Sequence, residues 1–288
     1  MAKILIVPDV HGTHEWEVAK DKVSQVDYVV FMGDYFDSWE NKWDDQGNNF
    51  NDICEFKRDN SDKVILLLGN HDWSYMSGTL EGENCSGHQY DKVNIIRSLL
   101  YGNRNIIDLA FECDGWTFSH AGFSRNWVDI YMKSCLHKIL DEYPIKISDV
   151  NFESKFEFDK FIKSMDTPIK VWNEDEFSVS LLNKVWHEKI NHPFDDEFCE
   201  LLDWHGIFSP SGDEVSQGML WIRPPSLMND SYYPKQIVGH TELNESFFEN
   251  GGYLCIERNG NDFVFTDSPS HKVRNVFNTK NYKGEKCL

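Results

Sequence analysis

Short apolar runs alternate with longer mixed segments through the first part of the chain. Lys3–Val7 is apolar and ends at Pro8-Asp9, Asp27–Met32 is stopped by Gly33, and Lys63–Leu68 is stopped by Gly69-Asn70. Runs of this length bounded by turn residues predict buried strands that each open into a loop. Between the first two, Thr13–Val26 predicts a helix capped by Thr13, with Trp16, Ala19 and Val23 near one face. Ser38–Asn51 is polar and acidic, with Trp39 and Trp43 set in it, and predicts a loop insertion. Weaker strands at Ile106–Phe111 and Trp116–Ser119 flank Asp114-Gly115, a hairpin turn signal. From Ser124 to about Gly218 helical patterns dominate, for example Val128–Leu140 and Phe177–Glu188. Strands return at Gln236–Val238, Tyr253–Ile256 and Phe263–Phe265, the last two around an Asn259-Gly260 turn, and a polar tail expected to be partly loose begins near Ser268. Strand–helix alternation followed by strand pairs predicts an α/β sandwich spanning residues 1–288 as a single domain, with 124–218 a mostly helical insertion or cap.

Charge and cysteine usage narrow the function classes. With 28 basic and 48 acidic residues the net charge is −20. Such a surface repels nucleic-acid backbones and anionic lipid, so general nucleic-acid binding is not expected, and an anionic substrate would need bound cations to reverse the local sign. Seven cysteines at wide spacing, with no Cys-x-x-Cys, predict reduced, mostly buried thiols in a cytoplasmic protein. The N-terminus runs straight into a strand without a secretory pattern, and no apolar stretch reaches the ~18–20 residues of a spanning helix. No membrane partner is expected.

Five short motifs follow predicted strands or lie in strand-rich stretches, where ligands of open α/β sheets gather. They are Asp9-Val10-His11, Gly33-Asp34-Tyr35-Phe36-Asp37, Gly69-Asn70-His71-Asp72, Ser119-His120-Ala121-Gly122 and Gly239-His240-Thr241-Glu242. A carboxylate and an imidazole two residues apart can share a cation, but Asp-x-His is common by chance. Asp34 could bridge two metals or start a helix. Asn70, His71 and Asp72 at the mouth of a buried strand are costly unless used or hydrogen-bonded. A lone His at a strand end is ordinarily structural. Here four of them (11, 71, 120 and 240) each lie within two residues of a Gly, and that repetition points to a shared site. The other seven His read as surface or packing residues.

As an ordered set, D-x-H, G-D-x-x-D, G-N-H-D, H-A-G and G-H-T resemble the calcineurin-like metallophosphoesterase superfamily over residues 3–123 and 235–266. The details G-D-Y-F-D, S-H-A-G and Leu220-Trp221-Ile222-Arg223 are most similar to the phosphoprotein-phosphatase branch, with its bacterial and phage Ser/Thr phosphatases and symmetrical diadenosine-tetraphosphate hydrolases. The resemblance implies a four-layer αββα sandwich and two divalent metal ions. By that resemblance Asp9 and His11 hold one metal, Asp34 bridges, and Asn70, His120 and His240 complete the second. His71 is the general acid oriented by Asp37, and Asn70 and Arg223 bind the phosphate. The oxygen and nitrogen ligand set suits Mn²⁺ first, with Fe or Zn²⁺ as alternatives. The implied reaction is in-line attack on phosphorus by a hydroxide bridging the metals. The sequence departs from the pattern at two places. Ser38-Trp39 stands where that branch has Arg-Gly, and Glu242 stands where many members have a second His; Glu242 could be an extra oxygen ligand or an ordinary exposed Glu.

Three functions compete at this level. A protein phosphatase-like phosphomonoesterase acting on phosphoproteins or small phosphoesters comes first. A nucleotide hydrolase on dinucleoside polyphosphates or cyclic phosphodiesters is the alternative, with Trp39, Trp43 and Trp73 as stacking surfaces or as core-rim packing. A non-catalytic scaffold on the same fold ranks lowest, because every core ligand is present.

Overall fold

A computed structural model describes residues 1–77, 85–132, 177–189, 202 and 213–279. Two five-stranded sheets form its centre. In the first, β1 (Lys3–Val7), β2 (Tyr28–Phe31), β3 (Val64–Leu67) and β4 (Ile107–Asp108) run parallel in that order, and β10 (Phe277–Asn278) adds antiparallel to β1. In the second, β6 (Trp116–Ser119), β7 (Lys235–Val238) and β9 (Asn261–Phe265) run parallel, edged by antiparallel β5 (Ala110–Cys113) and β8 (Leu254–Arg258).

The two-residue period of the strands sorts their side chains into layers. Ile4, Ile6, Val30, Met32 and Leu67 meet Trp116, Phe118, Ile237 and Val264 in a cluster between the sheets. The alternate residues Leu5, Val7, Val29, Phe31, Val64 and Leu66 face the other way, against Trp16, Ala19, Phe50, Ile53 and Ile96. Those residues come from α1 (Val18–Lys22) and its short 3₁₀ flanks, α2 (Trp43–Asp59) and α4 (Val93–Asn103). On the far side of the second sheet, Phe263, Phe265 and Val238 pack on Leu227 of α6 (Pro224–Asn229). The result is a mixed α/β metallophosphoesterase-type sandwich, as the sequence implies.

Four expectations change. Ser38–Asn51 is not wholly loop, because α2 starts at Trp43. Its inner face carries buried Gln46 and Asn49 beside Phe50 and Ile53, which hides the helical period. Those amides are satisfied: Asn49 accepts from Trp16 Nε1 at 2.6 Å and donates to Thr13 O at 2.9 Å. Thr13 does not cap the following helix; its hydroxyl donates back to Val10 O. Ile106–Phe111 is two strands that change sheets around Leu109, where the Leu109 and Ala110 amides both donate to Asn183 Oδ1. The segment after Ser268 is anchored through Phe277–Asn278 on β1. Of the expected helical insertion, most lies outside the described residues, including Val128–Leu140 beyond Met132. Its described residues include a π-helical turn at Trp127–Met132 and α5 (Val179–Lys189), whose Trp186 packs against Trp73.

Candidate metal centre

The carboxyl ends of the parallel strands, with the N-cap of α6 for Arg223, bring all nine sequence-predicted site residues toward one cavity of about 1200 Å³. Asp9, His11, Asp34, Asp37, Asn70, His71, Arg223 and His240 line it, and His120 lies fully buried beside them. The loops are stitched together by their backbones. The amides of Val10, His11 and Gly12 donate to the carbonyls of Gly33, Asp34 and Tyr35 at 3.2, 2.6 and 3.0 Å. Asp72, from α3 (Asn70–Met76), accepts from the amides of Asp34, Tyr35 and Gly69 and so locks the β2 loop to the β3 loop. Two glycines are required by close approach. A Cβ on Gly69 would collide with Asp34 Oδ1, and one on Gly239 with Asp9 Oδ1.

Backbone strain marks the same place. Among the described residues, seven other than glycine have positive φ. Asp114 and Asn259 occupy the two hairpin turns ahead of a Gly. The other five, His11, Asp34, Asp37, His240 and His271, all line the cavity. Left-handed backbone is costly for such residues and collects at functional sites.

Three histidines share one arrangement. His11 Nδ1 lies 3.0 Å from Phe36 O, His120 Nδ1 2.8 Å from Met32 O, and His240 Nε2 3.1 Å from Trp221 O. A carbonyl can only accept, so each ring donates N–H there and, when neutral, turns a lone pair the other way. Those lone pairs converge. His120 Nε2 and His240 Nδ1 reach Asn70 Oδ1 at 2.8 and 3.1 Å, His120 Nε2 lies 3.5 Å from Asp34 Oδ2, and His11 Nε2 lies 3.7 Å from the same oxygen. Acceptors facing acceptors are unfavourable unless a cation lies among them, and a second hydrogen bond fixing each imidazole is the usual support of a metal ligand. Asp9 Oδ1 is buried and accepts no hydrogen bond from any described residue, while Asp9 Oδ2 takes the His240 amide at 2.9 Å. Asp9–Asp34–His120 and His11–Asp34–His71 each lie close enough to share an ion. The donor set therefore fits divalent cations.

The electrostatics agree. Burial pushes the Asp9 carboxyl well above the usual carboxylate range, and the carboxylates of Asp267 and Asp34 add to it. Burial pushes Asp34 the same way, but His120, His71, His11 and His240 outweigh it and hold Asp34 well below that range. Burial also pushes the imidazoles of His11 and His240 down, toward the neutral form that binds metal.

His71 differs from these three. Its Nδ1 pairs with Asp37 Oδ2 at 2.8 Å, and Tyr75 OH donates to the other Asp37 oxygen. Burial alone would lower its pKa, but Asp34 and Asp37 outweigh burial and raise it. Arg223, the N-cap position of α6, is the one Lys or Arg among the described residues lining the cavity. Ser38 works for its own loop, its hydroxyl accepting from the amides of Glu40 and Asn41. Glu242 is exposed at the cavity edge and belongs to neither close donor group. Of the three tryptophans, Trp39 lines the cavity and is 79% exposed, Trp43 stacks on Phe36, and Trp73 packs on Trp186.

The reading of the remaining histidines as surface or packing residues needs one correction. His14 pairs with Asp45 at the exposed rim of the cavity, His88 stacks on Tyr75 and His187 pairs with Asp108, while His137, His192 and His205 lie outside the described residues. His271, however, lines the cavity with its ring centroid 5.1 Å from that of His11 and its Nδ1 3.0 Å from buried Asp267. Neither residue lies within two residues of a Gly, so the signal that exposed the other four was missing. What remained was position: Asp267 stands two residues past the Phe263–Phe265 strand.

The sandwich and the donor cluster define a metal-dependent phosphoesterase. The chain belongs to the calcineurin-like phosphoesterase family, whose model matches residues 2–207. The family is dinuclear and metal-dependent, and the protein is a metal-dependent phosphoric ester hydrolase. Among solved structures it is similar to a cold-active protein-tyrosine phosphatase of a psychrophilic Shewanella species, at 15% identity over 94% of this chain and 72% of that one, with a TM-score of 0.50. A point mutant of a cold-active protein tyrosine phosphatase gives 14% identity, the same coverage and a TM-score of 0.52. At such identity the likeness is one of fold. No curated protein sequence matches the chain. Among the described residues no helix is long and apolar enough to cross a membrane.

Proposed function

We propose that the protein hydrolyses phosphate monoesters by in-line displacement, in the manner of a protein phosphatase. The observation that carries this reading is the His71–Asp37 pair standing in the same cavity as the donors Asp9, His11, Asp34, Asn70 and His240, with His120 buried beside them. Two divalent cations, Mn²⁺ before Fe or Zn²⁺, would supply polarisation of the phosphoryl group and a water of lowered pKa. Asp9 and His11 would hold one, Asp34 both, and Asn70, His120 and His240 the other. Asp37 holds Nδ1 of His71, so Nε2 can deliver a proton to the leaving oxygen. Arg223 and the Asn70 side chain bind phosphoryl oxygens, the guanidinium with two parallel donors. His71 also lies within ion-sharing reach of His11 and Asp34; its carboxylate partner and raised pKa favour the acid role.

Trp39, exposed in the cavity wall, supports a second reading in which a nucleotide base stacks there and the substrate is a dinucleoside polyphosphate or cyclic phosphodiester. Hydrolysis of p-nitrophenyl phosphate, its bis ester, phosphopeptides and diadenosine tetraphosphate with Mn²⁺ separates the two. The monoester and phosphopeptides should turn over fastest. Faster cleavage of the bis ester or the dinucleotide would overturn the first reading in favour of the second.

A further inference from the structure

Of the six described histidines that line or adjoin the cavity, His14 pairs with Asp45 at the exposed rim, and the other five fall into two groups by what backs the ring. His11, His120 and His240 are backed by main-chain carbonyls. His71 and His271 are each backed at Nδ1 by a carboxylate, Asp37 at 2.8 Å and Asp267 at 3.0 Å. Both carboxylate-backed rings contact His11, with centroids 4.9 and 5.1 Å away.

His271 is held deliberately. Asp267 is buried two residues past the end of β9, and its carbonyl accepts the Leu243 amide. The His271 amide donates to Ser268 O, and φ of His271 is +45°, a strained value shared with the other cavity residues. The side chain is 15% exposed, and among the described residues its Nε2 has no hydrogen-bond partner. His271 belongs to neither donor group that could share an ion. A phosphoryl group brings several anionic oxygens into a cavity where, among the described residues, Arg223 is the sole Lys or Arg.

We propose that His271 is a second imidazole of the substrate site, donating from Nε2 to a phosphoryl oxygen, with Asp267 as the positioning residue that fixes its ring. The inference rests on the phosphoesterase reading of this cavity and adds a phosphate contact supplied by the second sheet. With Asp267 accepting at Nδ1 and an anionic phosphoryl oxygen at Nε2, the ring stands between two acceptors and presents an N–H to each.

Inorganic phosphate is the probe. Its binding to the Mn²⁺-loaded full chain, by calorimetry, is compared in wild type, His271→Ala, His271→Gln and Asp267→Asn, alongside KM and kcat on p-nitrophenyl phosphate and metal content. Both His271 variants should bind phosphate roughly ten-fold more weakly, the scale of one charge-assisted hydrogen bond. They should raise KM more than they lower kcat and keep the wild-type metal content. Asp267→Asn should move phosphate affinity in the same direction by a smaller factor. Having two His271 variants guards against one that fails to fold. Unchanged phosphate affinity in a folded variant overturns the proposal and leaves the hydrolase reading intact, as does loss of a metal equivalent, which would make His271 a ligand. Weakened phosphate binding beside a wild type that hydrolyses no ester supports the contact and sinks the hydrolase reading. A wild type that binds no phosphate overturns both.

Discussion

The halves of the site contributed by the two sheets differ in how they are secured. On the first sheet the loops after β1, β2 and β3 hold one another by backbone hydrogen bonds and through Asp72, so Asp9, His11, Asp34, Asp37, Asn70 and His71 sit on a single interlinked ledge. The second sheet supplies imidazoles after β6, β7 and β9, and two of these depend on anchors across the sandwich. His120 is tied to Met32 O of the first sheet, and the His240 amide to Asp9. The first half thus sets most of the oxygen framework, and the second closes it with nitrogen donors. Within each half the rings differ in what backs them: a main-chain carbonyl for His11, His120 and His240, a carboxylate for His71 and His271.

The largest effect expected from breaking this contrast is at His71. His71→Ala should lower kcat by about 10²–10⁴-fold on esters with poor leaving groups, the range for a general acid, with metal content near normal. Full kcat on such esters would remove the acid assignment, and lost metal would move His71 among the ligands. Arg223→Ala acts from the second-sheet side. It should cost roughly ten-fold or more in kcat/KM through one or two charge-assisted bonds, read from steady-state kinetics. A change confined to thermal stability would mean that Arg223 serves only to start α6. The smallest effect sharpens the contrast itself. In metal-free protein the His71 imidazole should titrate above the ordinary histidine value, because Asp34 and the Asp37 hydrogen bond outweigh burial. Asp37→Asn removes one of those causes and should lower that pKa, followed by NMR titration. By linkage, a histidine raised in the folded state stabilises fully below its unfolded value and loses that contribution as pH rises through the folded one. Asp37→Asn should therefore flatten the fall in stability above pH ~6.5.

Much of the first-sheet half was legible in the sequence because each motif follows its strand without interruption and carries its own Gly. Gly33-Asp34 and Gly69-Asn70 announce the strand end, the close approach and the polar group in adjacent residues. The sandwich was legible for the same reason, since runs such as Ile4–Val7 and Leu66–Leu68 are buried on both faces. Helix α2 was hidden by Gln46 and Asn49, polar residues buried because they hydrogen-bond to the loops beside them. His271 was hidden by distance: it stands four residues past Asp267, across Ser-Pro-Ser, and only the fold carries it back to His11. That the rings are backed by carbonyls or by carboxylates is a matter of through-space contact, which no spacing in the sequence reveals.

The central claim is that the two halves hold cations jointly, with Asp34 at the junction. Elemental analysis of protein loaded with Mn²⁺ and desalted, wild type beside Asp34→Asn, tests it most directly. The account predicts two equivalents in the wild type and a clear loss in the variant, with activity falling by more than the roughly hundredfold that changes outside the ligand set can cost. Two full equivalents retained by a folded Asp34→Asn would contradict it.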